Sequence, residues 1–210
     1  MHRWTLTALL LVMFTLSACA DAAPANEATQ EVAPTIAPEV TPETTAEASS
    51  VEWVRYVQSD STAPGWTFQH PDGWEAVTVD ARNVFLYTVS DAGQRLFING
   101  LQPGELVFQF SLNPAANGDE TPTAHLSALS EGLRGAALGE IEPVTIAGLD
   151  GVQRRGTIEE LGLTVTASSR PFFGGQYIDI IAYSRTDEFE TNWPLMSAVI
   201  ETVRYVLPTE

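Results

Sequence analysis

Two histidines, one cysteine and a surplus of carboxylates are the reactive side chains that this 210-residue sequence offers beyond its opening residues. All ten basic residues are arginine, and the chain holds no lysine. Cys19 is the single cysteine. With neither amine nor spare thiol, covalent catalysis narrows to hydroxyls that have no evident base beside them. The sequence contains no G-x-S-x-G elbow, no H-E-x-x-H, no phosphate-binding loop and no G-x-G-x-x-G. His70 precedes a turn proline and reads as structural or solvated, with metal binding the lesser alternative. His125 falls in the first turns of a predicted helix and is expected to be exposed.

Carboxylates could still do acid–base work. A paired-acid hydrolase needs two carboxyls about 5–9.5 Å apart across a cleft. The densest acids, Asp187, Glu188 and Glu190, sit at a predicted helix start, where the helix dipole favours negative charge, so they read as caps. Glu159 and Glu160 read as the end of a hairpin. No D-x-[DN]-x-[DN]-G calcium loop is present. The sequence therefore assigns no catalytic residue, no metal ligand and no cofactor. A carboxylate-dependent cell-surface hydrolase is kept as the alternative to a binding role.

Two further groups could make contacts rather than reactions. Trp53, Tyr56, Trp66, Phe68 and Trp74 form an aromatic-rich region that serves either as core or as a groove for a partner. Arg154 and Arg155, adjacent on a strand, are edge charges or partner contacts. A formal charge of −17 without a basic stripe argues against nucleic acid as a partner.

The elements that must position these residues begin after an address and a spacer. Residues 1–18 carry Arg3 and then an unbroken apolar run from Ala8 to Phe14. That run is far short of the roughly 20 residues a membrane span needs, and it fits a secretory signal peptide. Leu16-Ser17-Ala18-Cys19 resembles the bacterial lipobox, which implies diacylglyceryl transfer to Cys19 and cleavage just before it. Cys19 then becomes the contact with the membrane, and the protein belongs on the extracytoplasmic side of a bacterial cell envelope. Residues 19–50 are almost entirely Ala, Pro, Thr, Glu and Ser after the cysteine, with Pro34, Pro38 and Pro42 at intervals of four. Such a segment cannot bury enough apolar area to order itself and reads as an extended tether, reaching about 30–95 Å.

Residues 51–210 are expected to form one domain. Strands are predicted over 52–58, 65–70, 74–79, 83–89, 95–98, 105–112, 141–147, 152–158, 162–171 and 176–184. Thr121-Pro122 opens a helix in which Leu126, Leu129, Leu133 and Ala137 share a face. A second helix begins near Asp187, with Asp187 and Glu190 as a capping-box-like pair and a kink or restart at Trp193-Pro194. The short links at Leu149-Asp150-Gly151 and Phe173-Gly174-Gly175 force antiparallel pairing. In 176–184 both faces are apolar, which marks a central strand covered on each side. The expected class is α+β: an antiparallel sheet with helices packed on its faces, an α/β/α stack.

Trp66-Thr67-Phe68-Gln69-His70-Pro71-Asp72-Gly73-Trp74 resembles the strand–turn–strand opening of PsbP-like domains, with His70 where that family usually has tyrosine. Val144-Thr145-Ile146-Ala147-Gly148-Leu149-Asp150-Gly151 is similar to a hairpin of the same family. The glycine-rich turn into Tyr177-Ile178 and the closing helix ending Ile200-Glu201-Thr202-Val203 extend the likeness across most of 51–210. The resemblance implies a sheet of six or more antiparallel strands between helical layers, and a binding or assembly role toward a protein or small molecule rather than catalysis. It brings no catalytic motif, and no residue here supports a photosystem role.

Overall fold

Short turns between extended runs leave successive strands no choice but to pair antiparallel, and they do so in two sheets. The computed structural model describes residues 51–60 and 63–206. The expected signal peptide (1–18) and the expected tether with its Cys19 (19–50) lie outside the described residues.

The strands are β1 (Trp53–Asp60), β2 (Ala63–Pro71), β3 (Glu75–Thr78), β4 (Asn83–Tyr87), β5 (Leu106–Pro114), β6 (Ala137–Leu138), β7 (Glu142–Ile146), β8 (Leu149–Ile158), β9 (Leu163–Pro171), β10 (Gln176–Arg185) and β11 (Arg204–Val206). The helices are α1 (Ala92–Arg95), α2 (Pro122–Ser130) and α3 (Phe189–Glu201), with a 3₁₀ turn at Glu159–Leu161. The main sheet has eight strands, ordered β3-β4-β5-β10-β9-β8-β6, with β7 also paired to β8. A smaller sheet has the order β1-β2-β11.

β10 is central, as its two apolar faces require. Ile178, Ile180 and Ala182 enter one core together with Phe108 and Phe110 of β5. That core is closed by Met196, Val199 and Ile200 of α3 and by Trp66 and Phe68 of the small sheet. Helix and small sheet thus share the layer over this face. Ile181 and Tyr183 enter the opposite core with Leu126 of α2 and Leu96. The architecture is α+β, an antiparallel sheet with helices packed on its faces.

The local differences from the sequence reading have local reasons. The run 95–98 is not a strand: Ala92–Arg95 is helical, Leu96 is buried, and Phe97 and Ile98 point to solvent. A short apolar run has too few residues for its period to be read. The β7–β8 turn falls on Ala147-Gly148 rather than on Asp150-Gly151, which is inside β8. Both turn residues have positive φ, 54° and 79°, as a two-residue hairpin of this hand demands. The link at Gly174-Gly175 lies where expected, with φ of 68° and 71°.

Thr121 caps α2 as predicted, its Oγ1 accepting from the Ala124 N–H at 3.2 Å. The helix nevertheless stops at Ser130, so Leu133 and Ala137 lie beyond it, and Ala137 starts β6. At α3 the cap residue is Glu188 without a side-chain cap bond, so the Asp187–Glu190 capping box does not form. The helix also runs through Pro194 without a restart. Pro194 and Glu190 are both on the exposed face, where water can satisfy the carbonyl that proline leaves unpaired.

Candidate functional site

Strand ends and turns, where backbone direction changes, gather the side chains left over from core packing. Two such groups lie at one end of the main sheet, on either side of the β9–β10 turn.

The first group surrounds a cavity of about 550 Å³. Arg170, next to last in β9, lines it and is only 2 % exposed. Phe172 and Phe173 follow in the turn, and Arg204 and Tyr205 reach it from β11. Phe173 stacks on Tyr205 with ring centroids 5.1 Å apart, and Phe172 meets Tyr205 edge-on at 5.4 Å. The Arg170 guanidinium lies 5.8 Å from the Phe172 ring centre. Arg170 Nη2 donates to the Val203 carbonyl at 3.0 Å, and Arg204 Nη1 donates to the same oxygen at 2.9 Å. One acceptor therefore holds two cations within a few ångströms of each other. Burial, and then the charge of Arg204, push the Arg170 pKa below the usual arginine value. Arg170 Nε and the Tyr205 hydroxyl are buried without a hydrogen-bond partner. Groups of this kind are rare in folded proteins and call for a reason.

The second group is built on His125, which is buried rather than exposed. Its Nδ1 lies 3.2 Å from Glu120 Oε2, and its Nε2 lies 3.0 Å from Asp179 Oδ2. The ring stacks on Tyr177 at 4.0 Å, and the Tyr177 hydroxyl donates to the Glu120 carbonyl at 2.6 Å. Asn113 Nδ2 donates to Asp179 Oδ2 at 2.8 Å. Exposure was expected because position 125 lies in the first turns of α2. The main sheet covers that turn, and Asp179 in its central strand meets the ring.

Desolvation by burial opposes the imidazolium, yet the hydrogen bonds and charges of Asp179 and then Glu120 outweigh it and hold the His125 pKa above 6.5. The Ala116 N–H above all, with His125, keeps the Glu120 carboxyl below its ordinary 4.5. The histidine's contribution to stability is thus complete below pH 6.5 and is lost as pH rises through its raised folded value. That of Glu120 is present above 4.5 and is lost as pH falls through its lowered value. The melting temperature is therefore expected to fall as pH rises above about 6.5, and the fall should flatten in His125→Gln. Parallel profiles for the two proteins would mean that His125 does not carry this dependence. Since both ring nitrogens face carboxylates, the cluster works as a structural ion triad and not as a free base.

The other candidates are dispersed. His70 is buried, its Nδ1 2.9 Å from the Pro71 carbonyl, in a structural role. Asp187 pairs with Arg185 at 2.5 Å, Glu188 accepts from the Gly104 N–H at 2.8 Å, and Glu190 pairs with Arg155 at 2.9 Å. These acids do not converge on a cleft. Arg155 also lies over the Phe189 ring at 4.2 Å, and Arg154 donates twice to the Gly139 carbonyl, so both arginines fasten the chain to itself. Glu159 and Glu160 occupy the 3₁₀ turn that ends the β8–β9 hairpin. Of the aromatic region, Trp66 and Phe68 are fully buried and Tyr56 and Trp74 pack against the core, while Trp53 is partly exposed. That region is core in the main. Among the described residues no group of three or more His, Cys, Asp or Glu is arranged to hold a metal ion.

Arg170, Arg204, Tyr205, Glu120 and Asp179 were not singled out from sequence. The available signals were a lone arginine in an otherwise uncharged strand (Leu163–Pro171) and a lone aspartate in an apolar one (Gln176–Arg185). A charge in such a run must find a partner or a ligand.

No family model and no curated protein matches the sequence. Solved structures do. Cyanobacterial PsbP (CyanoP) from Synechocystis sp. PCC 6803 is similar over 79 % of this chain and 99 % of its own, at 14 % identity and a TM-score of 0.50. LpqN of Mycobacterium tuberculosis, described as involved in cell envelope biogenesis, is similar over 75 % and 92 %, at 16 % identity and a TM-score of 0.46. The Saccharomyces cerevisiae Ran-binding protein Mog1p is similar over 74 % and 96 %, at 12 % identity and a TM-score of 0.47. At such identities a likeness speaks for architecture alone, and with the strand order and central β10 described above it places this chain in the PsbP-like fold.

Proposed function

We propose that this chain is a lipid-anchored binding module of the bacterial cell envelope, held on the extracytoplasmic side by diacylglyceryl Cys19 and set off from the membrane by residues 20–50. The domain from residue 51 recognises a ligand or partner and carries out no reaction of its own. The observation that carries the binding reading is the aromatic cavity at the β9–β10 turn, whose walls supply apolar surface and two guanidinium groups. Concave sites of about 300–1,000 Å³ with a few convergent polar groups are the usual form of a small-ligand site. Both ring nitrogens of His125, and Asp187 and Glu190 at the start of α3, are engaged in ion pairs within the fold, which favours binding over acid–base chemistry.

The anchor rests on Leu16-Ser17-Ala18-Cys19. One acyl chain binds membranes marginally and reversibly, whereas two or more anchor stably. Cys19→Ala is therefore expected to move the protein from the membrane fraction to the soluble extracytoplasmic fraction. Undiminished membrane retention after high-salt washing would reject the lipid anchor.

A further inference from the structure

Arg170 is the least expected side chain in the molecule. Arginine is almost never fully buried unless it is paired, and among the described residues Arg170 forms no salt bridge. Its Nη2 reaches one backbone carbonyl, while its Nε has no partner. A second cation, Arg204, is drawn to the same Val203 oxygen. Like charges brought this close repel, and burial strengthens the repulsion by lowering the local dielectric. The carboxylate that bears on Arg170 is that of Glu201, but Glu201 Oε2 already accepts from the Ala147 N–H at 2.7 Å. Among the described residues neither Arg170 nor Arg204 thus has a salt-bridge partner, in a chain whose net charge is −17.

The surroundings specify what kind of anion. Phe173 and Leu149 line the same cavity with more than half of their surface exposed, at 57 % and 54 %. Phe173 lies flat against Tyr205, and the Tyr205 hydroxyl is a further donor without an acceptor. An inorganic ion would leave these apolar walls wet. A purely apolar molecule would leave Arg170 Nε and the Tyr205 hydroxyl unanswered, at the cost that attaches to buried unpaired polar groups.

We propose that the cavity formed by Leu149, Arg170, Phe172, Phe173, Arg204 and Tyr205 binds a small amphipathic anion: an oxyanion head seated between the two guanidinium groups, joined to an aromatic or alkyl body that packs on Phe173 and Tyr205. This rests on the binding reading above and names the class of ligand. A free molecule suits the site better than a membrane surface. The site is an open pocket of about 550 Å³, a size that suits a small molecule, and the acidic chain is repelled by anionic lipid at long range.

The test uses the whole mature chain, residues 19–210 with Cys19→Ser so that no lipid or detergent accompanies it. Two fluorescent probes share a scaffold and differ in charge: anilinonaphthalene sulfonate carries a sulfonate, and phenylnaphthylamine lacks it. The sulfonate is expected to bind saturably at one site, at least about tenfold tighter than the neutral probe. Arg204→Gln and Phe173→Ser alter exposed side chains and leave the core intact. Each should weaken the sulfonate about tenfold, and only Phe173→Ser should weaken the neutral probe equally. Arg170→Gln should abolish sulfonate binding, with the two surface variants deciding the matter should it fail to fold.

Equal affinity for both probes would overturn the anionic head while sparing the binding reading. Binding that is indifferent to Arg204→Gln and Phe173→Ser would place the ligand elsewhere and overturn the inference. Absence of both saturable probe binding and Arg204-dependent vesicle binding would overturn the inference and the cavity's role in the proposed function. Phosphatidylglycerol vesicles serve as the membrane arm: Arg204-dependent vesicle binding without probe binding would overturn the choice of a free ligand.

Discussion

His125→Ala is expected to destabilise the domain by about 3–5 kcal/mol, the range for removing one partner of a buried ion pair. The side chain lies between Asp179, which is 1 % exposed, and Glu120. Removing it leaves two carboxylates facing each other with no cation between them, and Asp179 Oδ1 already lacks a hydrogen-bond partner. Asn113 supplies one bond to Asp179 Oδ2 but cannot neutralise its charge. The ring also contributes apolar area through its stack on Tyr177. For a domain of this size the loss corresponds to a fall in melting temperature on the order of 10 °C. Thermal unfolding at about pH 6, where the triad contributes fully, is the direct measurement. A fall of less than about 2 °C would show that the cluster is electrostatically idle. The double variant His125→Leu with Asp179→Leu should recover much of the loss, because removing both partners of a buried pair for apolar groups is often near neutral.

Phe68→Ala is expected to cost a comparable 3–5 kcal/mol, for a different reason. Phe68 is fully buried where the small sheet meets the main one. It stacks on Phe110 of β5 at 4.4 Å, on Tyr56 of β1 at 4.9 Å and on Trp66 at 5.7 Å. β1, β2 and β11 have no backbone pairing to the eight-stranded sheet, so side-chain packing and the chain connections must hold the layers together. Truncation at Phe68 removes the centre of that packing and leaves a void that rigid neighbouring rings cannot close. Urea unfolding of wild type and variant measures the effect. A loss under about 1 kcal/mol would show that α3 alone secures the small sheet. Unlike His125→Ala, this variant should leave the pH dependence of stability unchanged, which separates the two sources of stabilisation.

Much of this architecture was legible because its signals are local. Alternation in β5 put Phe108 and Phe110 on one side and Gln109 and Ser111 on the other. The doubly apolar 176–184 run identified the central strand, and Thr121-Pro122 marked the start of α2. The errors cluster where a local signal had two readings. Asp150-Gly151 is a strong turn signal, but both residues lie inside β8, where Asp150 pairs with Thr145 and Gly151 with Val144. The turn instead sits on Ala147-Gly148, which keeps Ile146 and Val152 buried. Asp187 looked like a cap, yet Arg185 two residues earlier takes its carboxylate.

The sequence by itself determined the two hairpin pairings, β7 with β8 and β9 with β10, because these follow from short links between extended runs that neighbours along the chain already express. It also determined the chemistry available: arginine as the sole strong cation and one cysteine near the N-terminus. Only the tertiary structure decided where the charges went. His125 and Asp179 are 54 residues apart, and Arg170 and Val203 are 33 apart. No periodicity records such meetings. They arise when the α2 turn is laid over β10 and when β11 returns beside β2, two packing events driven by apolar burial that carry the charged side chains with them.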